Sequence, residues 1–323
     1  MLILKFFSYI FLFFVKVRLF LYESGILKSY KIKDVKVISV GNISLGGTGK
    51  TPVTIEIAKN LLTNGYKISV LLRGYKRKDK GEILTVSDGK KIFYTAEQCG
   101  DEAYLIAKKL KCPVVVSKNR IKGAKYLKEK FQVDFIILDD GFQHLKLQRD
   151  IDIVLVTQKS LNEKVFLLPA KKYREPISHL KRASFIVVTK IYNRKKLKIN
   201  CLLLKHLINR KVYVAEIILN NFIDINGNLI DKNLFKGKKV AIFCGIAQPE
   251  YFEKLLIENQ IIVKEKIYFP DHHFFSEKDY RRLNSIENYP LITTEKDIVK
   301  LNLNKLKTAL YVADISYKFF KIV

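Results

Sequence analysis

The sequence predicts an α/β fold, in which a mostly parallel sheet carries helices on both of its faces. Three observations support this class. Continuous apolar runs such as "FIILD" at Phe135–Asp139 are typical of strands that are buried on both faces. Stretches with apolar residues at helical spacing separate these runs. The first run leads directly into a glycine-rich loop and a helix, which is the order found in many α/β proteins.

The elements of the first unit follow one another along the chain. The strand "VKVISVG" enters the glycine-rich loop, and Pro52 lies at the start of the next helix, where its missing N–H costs nothing. "KISVLLRG" predicts the second strand, and "ILTVSDGKKIFYT" predicts a hairpin that turns at Asp88 and Gly89. A helix opens at Asp101 and another begins at Asn119 after the strand "PVVVS". "DFIILDD" and "IDIVLVT" predict two further buried strands.

A second and smaller α/β unit begins at about Lys205. "KVYVAEIIL" predicts a long connecting strand, and "KKVAIFCGIAQPEYFEKLL" again predicts a strand, a glycine turn and a helix. The strand "IIVKEKIYF", a helix from Ser276, and the strands "PLITT" and "TALYVAD" complete it. The sequence therefore predicts a helical segment at 1–34, a phosphate-loop domain at 35–204 and a C-terminal α/β subdomain at 205–323.

The amino terminus contains an uncharged, phenylalanine-rich run from Phe6 to Val15, with Lys5 before it and Lys16 and Arg18 after it. A membrane-spanning helix needs about 20 apolar residues, and no small-residue cleavage site of a secretory signal follows the run. The aromatic content and the flanking basic residues favour a helix that lies in the headgroup region of a membrane. A spanning helix with extended Lys side chains and a buried hydrophobic helix are the alternatives.

The composition is strongly basic, with a formal net charge of +28. This charge favours an anionic partner such as a membrane surface or an acidic substrate, although a Lys-rich coding bias would give the same total. No nucleic-acid-binding motif accompanies it, so we expect no nucleic-acid partner. Four scattered cysteines without a C-x-x-C pair argue against a zinc site or a disulfide framework and favour a reducing, cytosolic location: Cys99, Cys112, Cys201 and Cys244.

The stretch "SVGNISLGGTGKTPVT" at Ser39–Thr54 predicts a phosphate-binding loop and a P-loop NTPase-like fold. It ends in the Gly-Lys-Thr of the standard motif, but Ser44 occupies the position of the first glycine. Backbone N–H groups of the glycines and the start of the next helix would surround phosphate oxygens. Lys50 would reach the β- and γ-phosphates, and the Thr51 hydroxyl would bind Mg²⁺. The residues predicted to bind ATP are Ser44, Leu45, Gly46, Gly47, Thr48, Gly49, Lys50 and Thr51.

Two adjacent carboxylates, Asp139 and Asp140, follow the buried strand "FIIL". An acidic residue at the end of such a strand is the usual partner of a phosphate loop, and Asp139 would hold the Mg²⁺ coordination shell. Asp140 would do the same or meet the acceptor of the phosphate. The alternative is a pair of solvated loop acids.

Nine short motifs occur in a fixed order: G-N, G-G-T-G-K-T-P, R-G-Y, G-D-E, S-K-N-R, L-D-D-G-F-Q-H, Y-R-E-P, F-P-D-H-H and T-T-E-K-D. This set closely resembles the tetraacyldisaccharide 4'-kinase family of lipid A biosynthesis, from the amino-terminal segment almost to the carboxyl terminus. The resemblance implies ATP-dependent phosphorylation of the 4'-hydroxyl of an acylated glucosamine disaccharide 1-phosphate. It also implies a location on the cytoplasmic face of the bacterial inner membrane. With the amino-terminal segment and the basic composition, we expect peripheral or monotopic binding to that anionic surface, and we infer no obligate protein partner.

The residues alone leave Asp101 and the His272–His273 pair as candidates for accepting the proton of the sugar hydroxyl. Asp101 would otherwise be a helix cap, and the histidines ordinary loop residues. The resemblance implies that Asp101 and His272 act as a catalytic dyad, with His273 as the alternative histidine. Lys50, from the phosphate loop, and Asp140, from the paired carboxylates, are the other predicted catalytic residues. The residues further predicted to bind metal or substrate are Glu175 for Mg²⁺ or nucleotide phosphates, Arg73, Arg120 and Arg174 for phosphate oxygens, and Asn119, Gln143 and His144 for sugar or phosphate groups.

Two other functions compete with a lipid-sugar kinase. A membrane-associated P-loop ATPase that acts as an insertion or partition factor would have a similar loop, but usually with a lysine where Leu45 stands. A dinucleotide-binding dehydrogenase would need a G-x-G-x-x-G turn between a strand and a helix, which this sequence lacks.

Overall fold

A computed structural model describes residues 2–75, 77–160, 166–197 and 210–322. The N-terminal part contains α1 (Leu2–Glu23), β1 (Lys36–Asn42), α2 (Lys50–Thr63), β2 (Ile68–Leu72), β3 (Ile83–Asp88), α3 (Ala96–Cys99), α4 (Asp101–Lys109), β4 (Pro113–Ser117), α5 (Arg120–Phe131), β5 (Phe135–Asp139), β6 (Ile151–Thr157) and β7 (Phe185–Ile191).

The C-terminal part contains β8 (Lys211–Asp224), β9 (Leu229–Asp231), β10 (Lys239–Cys244), α6 (Pro249–Glu258), β11 (Ile262–Tyr268), α7 (Glu277–Asn284), β12 (Leu291–Thr294), α8 (Glu295–Ile298) and β13 (Leu310–Lys321). Short 3-10 helices lie at Ile177–Arg182, Arg194–Lys196, Lys232–Phe235 and Leu303–Lys305.

The strands form one sheet in the order β11-β10-β12-β13-β8-β7-β6-β1-β5-β2-β4-β3, and β9 pairs with β8. The β3–β4, β13–β8 and β8–β9 pairs are antiparallel, and the others are parallel. The predicted α/β class is therefore confirmed. Because β1 lies between β5 and β6, the carboxyl ends of β1 and β5 are neighbours, and Val40 pairs with Asp139. This register places the glycine-rich loop beside the paired carboxylates.

The two predicted α/β units share this sheet through β8, which pairs with β7 on one side and β13 on the other. One core cluster also combines side chains from both, including Val53 and Ile106 with Ile242 and Leu256. The predicted boundary between 204 and 205 lies outside the described residues, as does Cys201. The division at 34, 204 and 323 stays a prediction.

Helix α1 packs one of its faces against the N-terminal part. The Ser8 side chain is buried, where its Oγ donates to the carbonyl oxygen of Leu167 at 2.6 Å and accepts from the Ala170 N–H at 3.2 Å. Leu19 is buried and Leu12 packs against a core cluster. The aromatic side chains that remain exposed on this helix are Phe6, Phe7, Tyr9, Phe13, Phe14 and Phe20. Among the residues that the structure describes, no helix has both the length and the apolarity to cross a membrane.

Candidate active site

The phosphate loop joins β1 to α2, and two of its glycines have left-handed backbone conformations, at φ +104° for Gly46 and +86° for Gly49. Residues with side chains rarely adopt these angles, so the glycines permit the tight curve of the loop. Gly49 is the N-cap of α2 and provides no side chain there. The first N–H groups of α2, with the positive end of the helix dipole, therefore suit an anion.

Buried polar side chains hold the loop in this shape. Asn42 Nδ2 donates to Thr48 Oγ1 at 2.8 Å, and Thr189 Oγ1 donates to the Thr48 carbonyl oxygen at 2.8 Å. At the start of the loop, the Leu45 N–H donates to the Lys172 carbonyl oxygen at 2.6 Å. The loop is thus preorganised by β1, by β7 and by the segment before Arg174.

Asp139, at the end of β5, lies beside two threonine hydroxyls of α2. Thr51 Oγ1 and Thr54 Oγ1 each donate to one of its carboxylate oxygens at 3.3 Å. Burial and then the nearby Glu102 carboxylate raise the pKa of Asp139 to about 7, against the effect of Lys50. Such a carboxylate is stabilised as an anion when a cation approaches it.

The Thr51 hydroxyl and the Asp139 carboxylate form a donor set that fits Mg²⁺, which prefers hard oxygen ligands and often binds through one or two side chains and phosphate oxygens. Within the described ranges, no group of three or more His, Cys, Asp or Glu side chains could hold a metal ion by itself. Nucleotide oxygens and water would complete the coordination shell of such an ion.

Asp140 faces two cationic side chains. Its carboxylate lies 3.7 Å from Lys50 Nζ and accepts from Arg174 Nη1 at 3.1 and 3.2 Å. Burial would raise the pKa of Asp140, but Lys50 and then Arg174 outweigh it and hold that pKa below its usual value. The backbone of Asp140 also has a left-handed conformation, at φ +56°, so the chain turns sharply after β5. The structure brings together three predicted site residues here.

Asp101 and His272 are 171 positions apart in the chain but are hydrogen-bonded. Asp101 is the first residue of α4, and His272 lies in the loop after β11, with φ +63°. The His272 Nδ1 lies 2.9 Å from each of the two Asp101 carboxylate oxygens, and Oδ1 also accepts from the Glu102 N–H at 2.9 Å. Burial would raise the pKa of Asp101, but the hydrogen bond from His272 and the charge of Lys296 lower it below its usual value.

The adjacent His273 has different partners. Its Nε2 lies 2.9 Å from Asp279 Oδ2, and its ring stacks on Phe269 with a centroid distance of 4.7 Å. The geometry therefore pairs His272, and not His273, with Asp101. The catalytic roles that the resemblance implies for Asp101 and His272 stay predictions.

The loop after β10 connects the phosphate loop to this pair. A Cβ at Gly47 would lie 3.1 Å from the Ala247 Cβ, so the two loops are in close contact. Gly245 accepts a hydrogen bond from the His272 N–H at 3.2 Å, and a Cβ at Gly245 would lie 3.1 Å from the Pro270 carbonyl oxygen. A side chain at this position would crowd that oxygen, so the close approach favours glycine. Four residues, 245–248, thus span the distance from the phosphate loop to the backbone of His272.

The remaining predicted residues are divided between the site and the scaffold. Arg120, the first residue of α5, is buried and donates from Nη2 to the Asp139 carbonyl oxygen at 2.9 Å. Burial lowers the pKa of Arg120 to about 10. Arg73 is exposed after β2, and its charge adds to this lowering. The Asn119 side-chain oxygen caps α5 by accepting from the Lys122 N–H at 3.2 Å. Asn119 therefore caps a helix here, and its contact to sugar or phosphate groups stays a prediction.

Glu175 and Gln143 belong to one buried network. Gln143 Nε2 donates to Glu175 Oε1 at 3.0 Å, and Glu175 also contacts His179 Nδ1 at 2.7 Å and Arg182. Burial would raise the pKa of Glu175, but His179 and Arg182 hold it below its usual value. Because Gln143, His179 and Arg182 already contact the Glu175 carboxylate, this network has an evident structural role, and the metal role of Glu175 stays a prediction.

His144 lies among basic side chains that oppose its protonation. Burial, followed by the charges of Arg120 and Arg149, lowers the pKa of His144 to about 4. The ring is therefore neutral at physiological pH. Its predicted contact to sugar or phosphate would be a hydrogen bond of a neutral imidazole.

A model of the tetraacyldisaccharide-1-P 4'-kinase family matches residues 1–322. The chain belongs to this family.

Named relatives and a solved structure agree with the tetraacyldisaccharide 4'-kinase assignment. The chain is similar to the tetraacyldisaccharide 4'-kinase of Halothermothrix orenii, with 35% identity over 315 residues that cover 91% of this chain and 81% of the relative. It is 36% identical over 296 residues to that of Aquifex aeolicus, covering 91% and 88%. The crystal structure of LpxK from Aquifex aeolicus in complex with ATP matches with a TM-score of 0.79 and 34% identity, covering 97% of this chain and 93% of that one.

Three charged residues that touch the candidate site of this 4'-kinase family member were not assigned a role from the sequence. Glu102 follows Asp101, and Lys296 and Lys300 each place Nζ within 4 Å of Asp101 Oδ2. Glu102 and Lys296 belong to the G-D-E and T-T-E-K-D motifs, which therefore offered a signal. The chain spacing alone does not show that the two motifs meet.

Proposed function

We propose that this chain is a tetraacyldisaccharide 4'-kinase that transfers the γ-phosphate of ATP to the 4'-hydroxyl of an acylated glucosamine disaccharide 1-phosphate. One observation carries the mechanism: a loop preorganised for phosphate is joined by residues 245–248 to a buried Asp101–His272 pair. Family membership and the ATP complex of a similar chain support the reaction.

The phosphate side of the reaction uses Lys50 and the N–H groups at the start of α2. Positive charge at the β- and γ-phosphates stabilises the charge that develops when the phosphoryl group moves. Lys50 lies 3.7 Å from Asp140, an ion pair that keeps its ammonium at the loop. Thr51 and Asp139 would hold Mg²⁺, which when bound neutralises phosphate charge.

The acceptor side uses Asp101 as the base. The 4'-hydroxyl oxygen forms a bond to the γ-phosphorus while the bond from that phosphorus to the β-phosphate oxygen breaks, and ADP leaves. The hydroxyl proton passes to the Asp101 carboxylate. His272 Nδ1, 2.9 Å from both carboxylate oxygens, fixes the orientation of the carboxylate and stabilises its charge. A carboxylate with a lowered pKa is ionised at neutral pH and is ready to accept this proton.

Helix α1 would bring the protein to the membrane that contains the lipid part of the substrate. Its outward face carries exposed aromatic rings such as Phe6, Phe13 and Phe20, and the opposite face is fixed to the protein through Ser8 and Leu19. Aromatic and basic residues on one helix suit the interface of an anionic membrane. We infer that the protein binds peripherally to the cytoplasmic face of the bacterial inner membrane.

The reaction is tested by incubating the purified chain with γ-labelled ATP and the acylated disaccharide 1-phosphate, then separating lipid, free phosphate and protein. We expect the label in the lipid as a second phosphate ester. Label released only as free phosphate, at a rate that is independent of the lipid, would favour the partition-factor ATPase and contradict the kinase.

The membrane location is tested by flotation with vesicles of phosphatidylcholine alone and with added phosphatidylglycerol. Replacing Phe6, Phe13 and Phe20 together by Ser should reduce flotation, since each exposed aromatic ring contributes apolar area to the interface. Phe93→Ser is the matched control, because Phe93 is also exposed, at 47%, but lies outside α1. Equal flotation of the triple variant and the unaltered protein would rule out α1 as the membrane contact.

A further inference from the structure

Asp101 is enclosed by positive charge on the side that belongs to the C-terminal part. Its side chain is almost fully buried, with a total exposure of 3%. The Nζ atoms of Lys296 and Lys300 lie 3.8 and 3.9 Å from Asp101 Oδ2, in addition to the His272 Nδ1 at 2.9 Å. The proposed mechanism uses the histidine but leaves both lysines unexplained.

The segment that carries the lysines is held rigidly. Thr294, at the end of β12, donates from Oγ1 to Asp297 Oδ2 at 2.6 Å. Asp297 in turn lies 2.9 Å from Lys300 Nζ, and both of these side chains are fully buried. Lys300 is therefore fixed behind Asp101 by a buried ion pair. Lys296 is on the exposed side of the same segment, where 19% of its side chain is accessible.

Lys296 has three carboxylate neighbours, which come from two other elements. Its Nζ lies 3.2 Å from Asp271 Oδ1 in the loop of His272, and 3.6 Å from Glu102 Oε1 on α4. Burial would lower the pKa of Lys296, but Glu102, Asp101 and Asp271 together raise it to about 12. The ammonium therefore stays charged over the whole pH range of an assay, and it links α4 to the loop of His272.

We propose, in an inference that rests on the proposed function, that Lys296 is a positioning residue for the phosphoryl transfer. Lys296 holds the Asp101 carboxylate in place as an anion, and Lys300 lies behind that carboxylate. An ammonium at about 4 Å attracts a buried carboxylate more strongly than it would in water, because few water molecules screen the pair. Lys296 also draws Asp271 toward Asp101, so it maintains the approach of His272. The T-T-E-K-D motif thereby contributes to the base without touching the substrate.

The titratable and charged groups around Asp101 define the expected pH dependence. They are His272 and Asp271 from the loop after β11, Lys296, Asp297 and Lys300 from the segment after β12, Glu102 on α4 and Cys99 on α3. Burial would raise the pKa of Asp101, and His272, Lys296 and Lys300 lower it. Removing the Lys296 ammonium should therefore raise the pKa of Asp101. Asp101 becomes protonated and can no longer accept a proton as the pH falls through its pKa. The acidic limb of the rate profile should therefore move to higher pH.

The test compares kcat against pH for the unaltered chain, Lys296→Gln and Lys296→Arg, using the labelled transfer assay. We expect the acidic limb of Lys296→Gln to move up by about one pH unit. At a pH below the limb, kcat should then be about tenfold lower than in the unaltered chain. Most of the plateau rate should return at high pH, the KM for ATP should be unchanged, and Lys296→Arg should keep the native limb.

Lys109→Gln is the matched control. Lys109 also joins α4 to the segment after β12, through Glu295, and is similarly accessible at 26%, but it does not contact Asp101. Its loss should leave the limb unmoved. A limb that is the same in Lys296→Gln and the unaltered chain, a uniform drop at every pH, or an equal shift in Lys109→Gln would each overturn the proposal.

A second measurement does not depend on turnover. The ¹³C carboxyl resonance of Asp101, assigned by its absence in Asp101→Asn, should titrate at higher pH in Lys296→Gln than in the unaltered chain. If the unaltered chain fails to label the lipid, the proposed function fails, and this titration still decides whether Lys296 controls Asp101. An unchanged titration overturns the proposal even in a chain that is an active kinase.

Discussion

Asp139 and Asp101 are two carboxylates of the candidate site that are almost equally buried, with 4% and 3% exposure, yet their surroundings differ. Asp139 accepts two hydroxyl groups at 3.3 Å, and burial raises its pKa to about 7. Asp101 contacts an imidazole and lies within 4 Å of two ammonium groups, which together lower its pKa against the effect of burial.

The difference indicates how the two carboxylates would obtain their counter-charge. Asp101 receives it from side chains of the protein, so its charge is balanced whether or not ligands are bound. Asp139 has the weak hydroxyl contacts of Thr51 and Thr54, and a cation that arrives with the nucleotide would balance its charge. Under the proposed function, equal burial would serve two tasks: Asp101 would be a base that is ionised at neutral pH, and Asp139 a ligand whose ionisation is linked to cation binding.

The largest effect should come from the Asp101 side. Asp101→Ala and His272→Ala should each lower kcat by about 10²- to 10⁴-fold, the usual contribution of general-base assistance. If the two residues act as one unit, the double variant should be little slower than the slower single variant. ATP binding, measured by calorimetry, should persist because neither residue lies in the phosphate loop.

His273→Ala separates the two histidines in the same assay. His273 contacts Asp279 and Phe269, so its loss should leave the transfer rate close to that of the unaltered chain. A larger loss at His273 than at His272 would contradict the pairing, and losses at Asp101 and His272 that multiply would assign them separate tasks.

The next effect concerns the phosphate side. Lys50→Ala should lower kcat by roughly 10²- to 10³-fold or more, since it removes a charge that faces the transferred phosphoryl group. Lys59→Ala on the same helix is the control, because Lys59 is half-exposed and pairs with Glu56. Near-normal transfer by Lys50→Ala would be incompatible with the phosphate-loop assignment.

Dependence on Mg²⁺ gives a smaller effect that is specific to Asp139. Asp139→Asn should raise the Mg²⁺ concentration needed for half-maximal rate by at least about tenfold, and raised Mg²⁺ should partly restore the rate. Asp101→Asn should lower the rate without moving this concentration, because its neighbours are protein cations. The comparison of the two carboxylates is wrong if both variants, or neither, respond to Mg²⁺.

Local features of the site could be predicted from the sequence, whereas contacts between distant segments could not. The glycine-rich loop follows β1, and Asp139 is the last residue of β5. A short stretch of sequence around each is therefore enough to predict its chemistry. The pairing of Asp101 with His272 spans 171 positions, and it was suggested by the family resemblance and not by spacing. Neither source gave a role to Lys296, because an ion pair between α4 and the segment after β12 depends on how the sheet brings them together.

The division of the chain shows the same limit. The pattern after Lys205 restarts like a separate unit, yet β13 inserts between β12 and β8, and its Tyr311 pairs with Asp224. This order makes one sheet of both parts, and no periodicity in the sequence specifies which strands become neighbours.

The smallest effect is on stability and has opposite signs for the two carboxylates. The measurement is the free energy of unfolding in urea at pH 5 and pH 8, without nucleotide and with EDTA. The pKa of Asp139 is raised from 3.8 to about 7, so its carboxylate is unfavourable in the folded protein at a pH above the unfolded value. Asp139→Asn should therefore stabilise the protein at pH 8, by about 1 to 3 kcal/mol, and less at pH 5.

The pKa of Asp101 is lowered, so its charge contributes stability above the unfolded pKa that is lost as the pH falls through the folded pKa. Asp101→Asn should destabilise the protein at both pH 5 and pH 8, because it removes one of the two carboxylates, Asp101 and Asp297, that face the buried Lys300 ammonium. If Asp139→Asn were as destabilising as Asp101→Asn at pH 8, the hydroxyl contacts of Thr51 and Thr54 would be sufficient partners for the charged form. A cation would then not be needed to balance the charge of Asp139, and the contrast between the two carboxylates would fail.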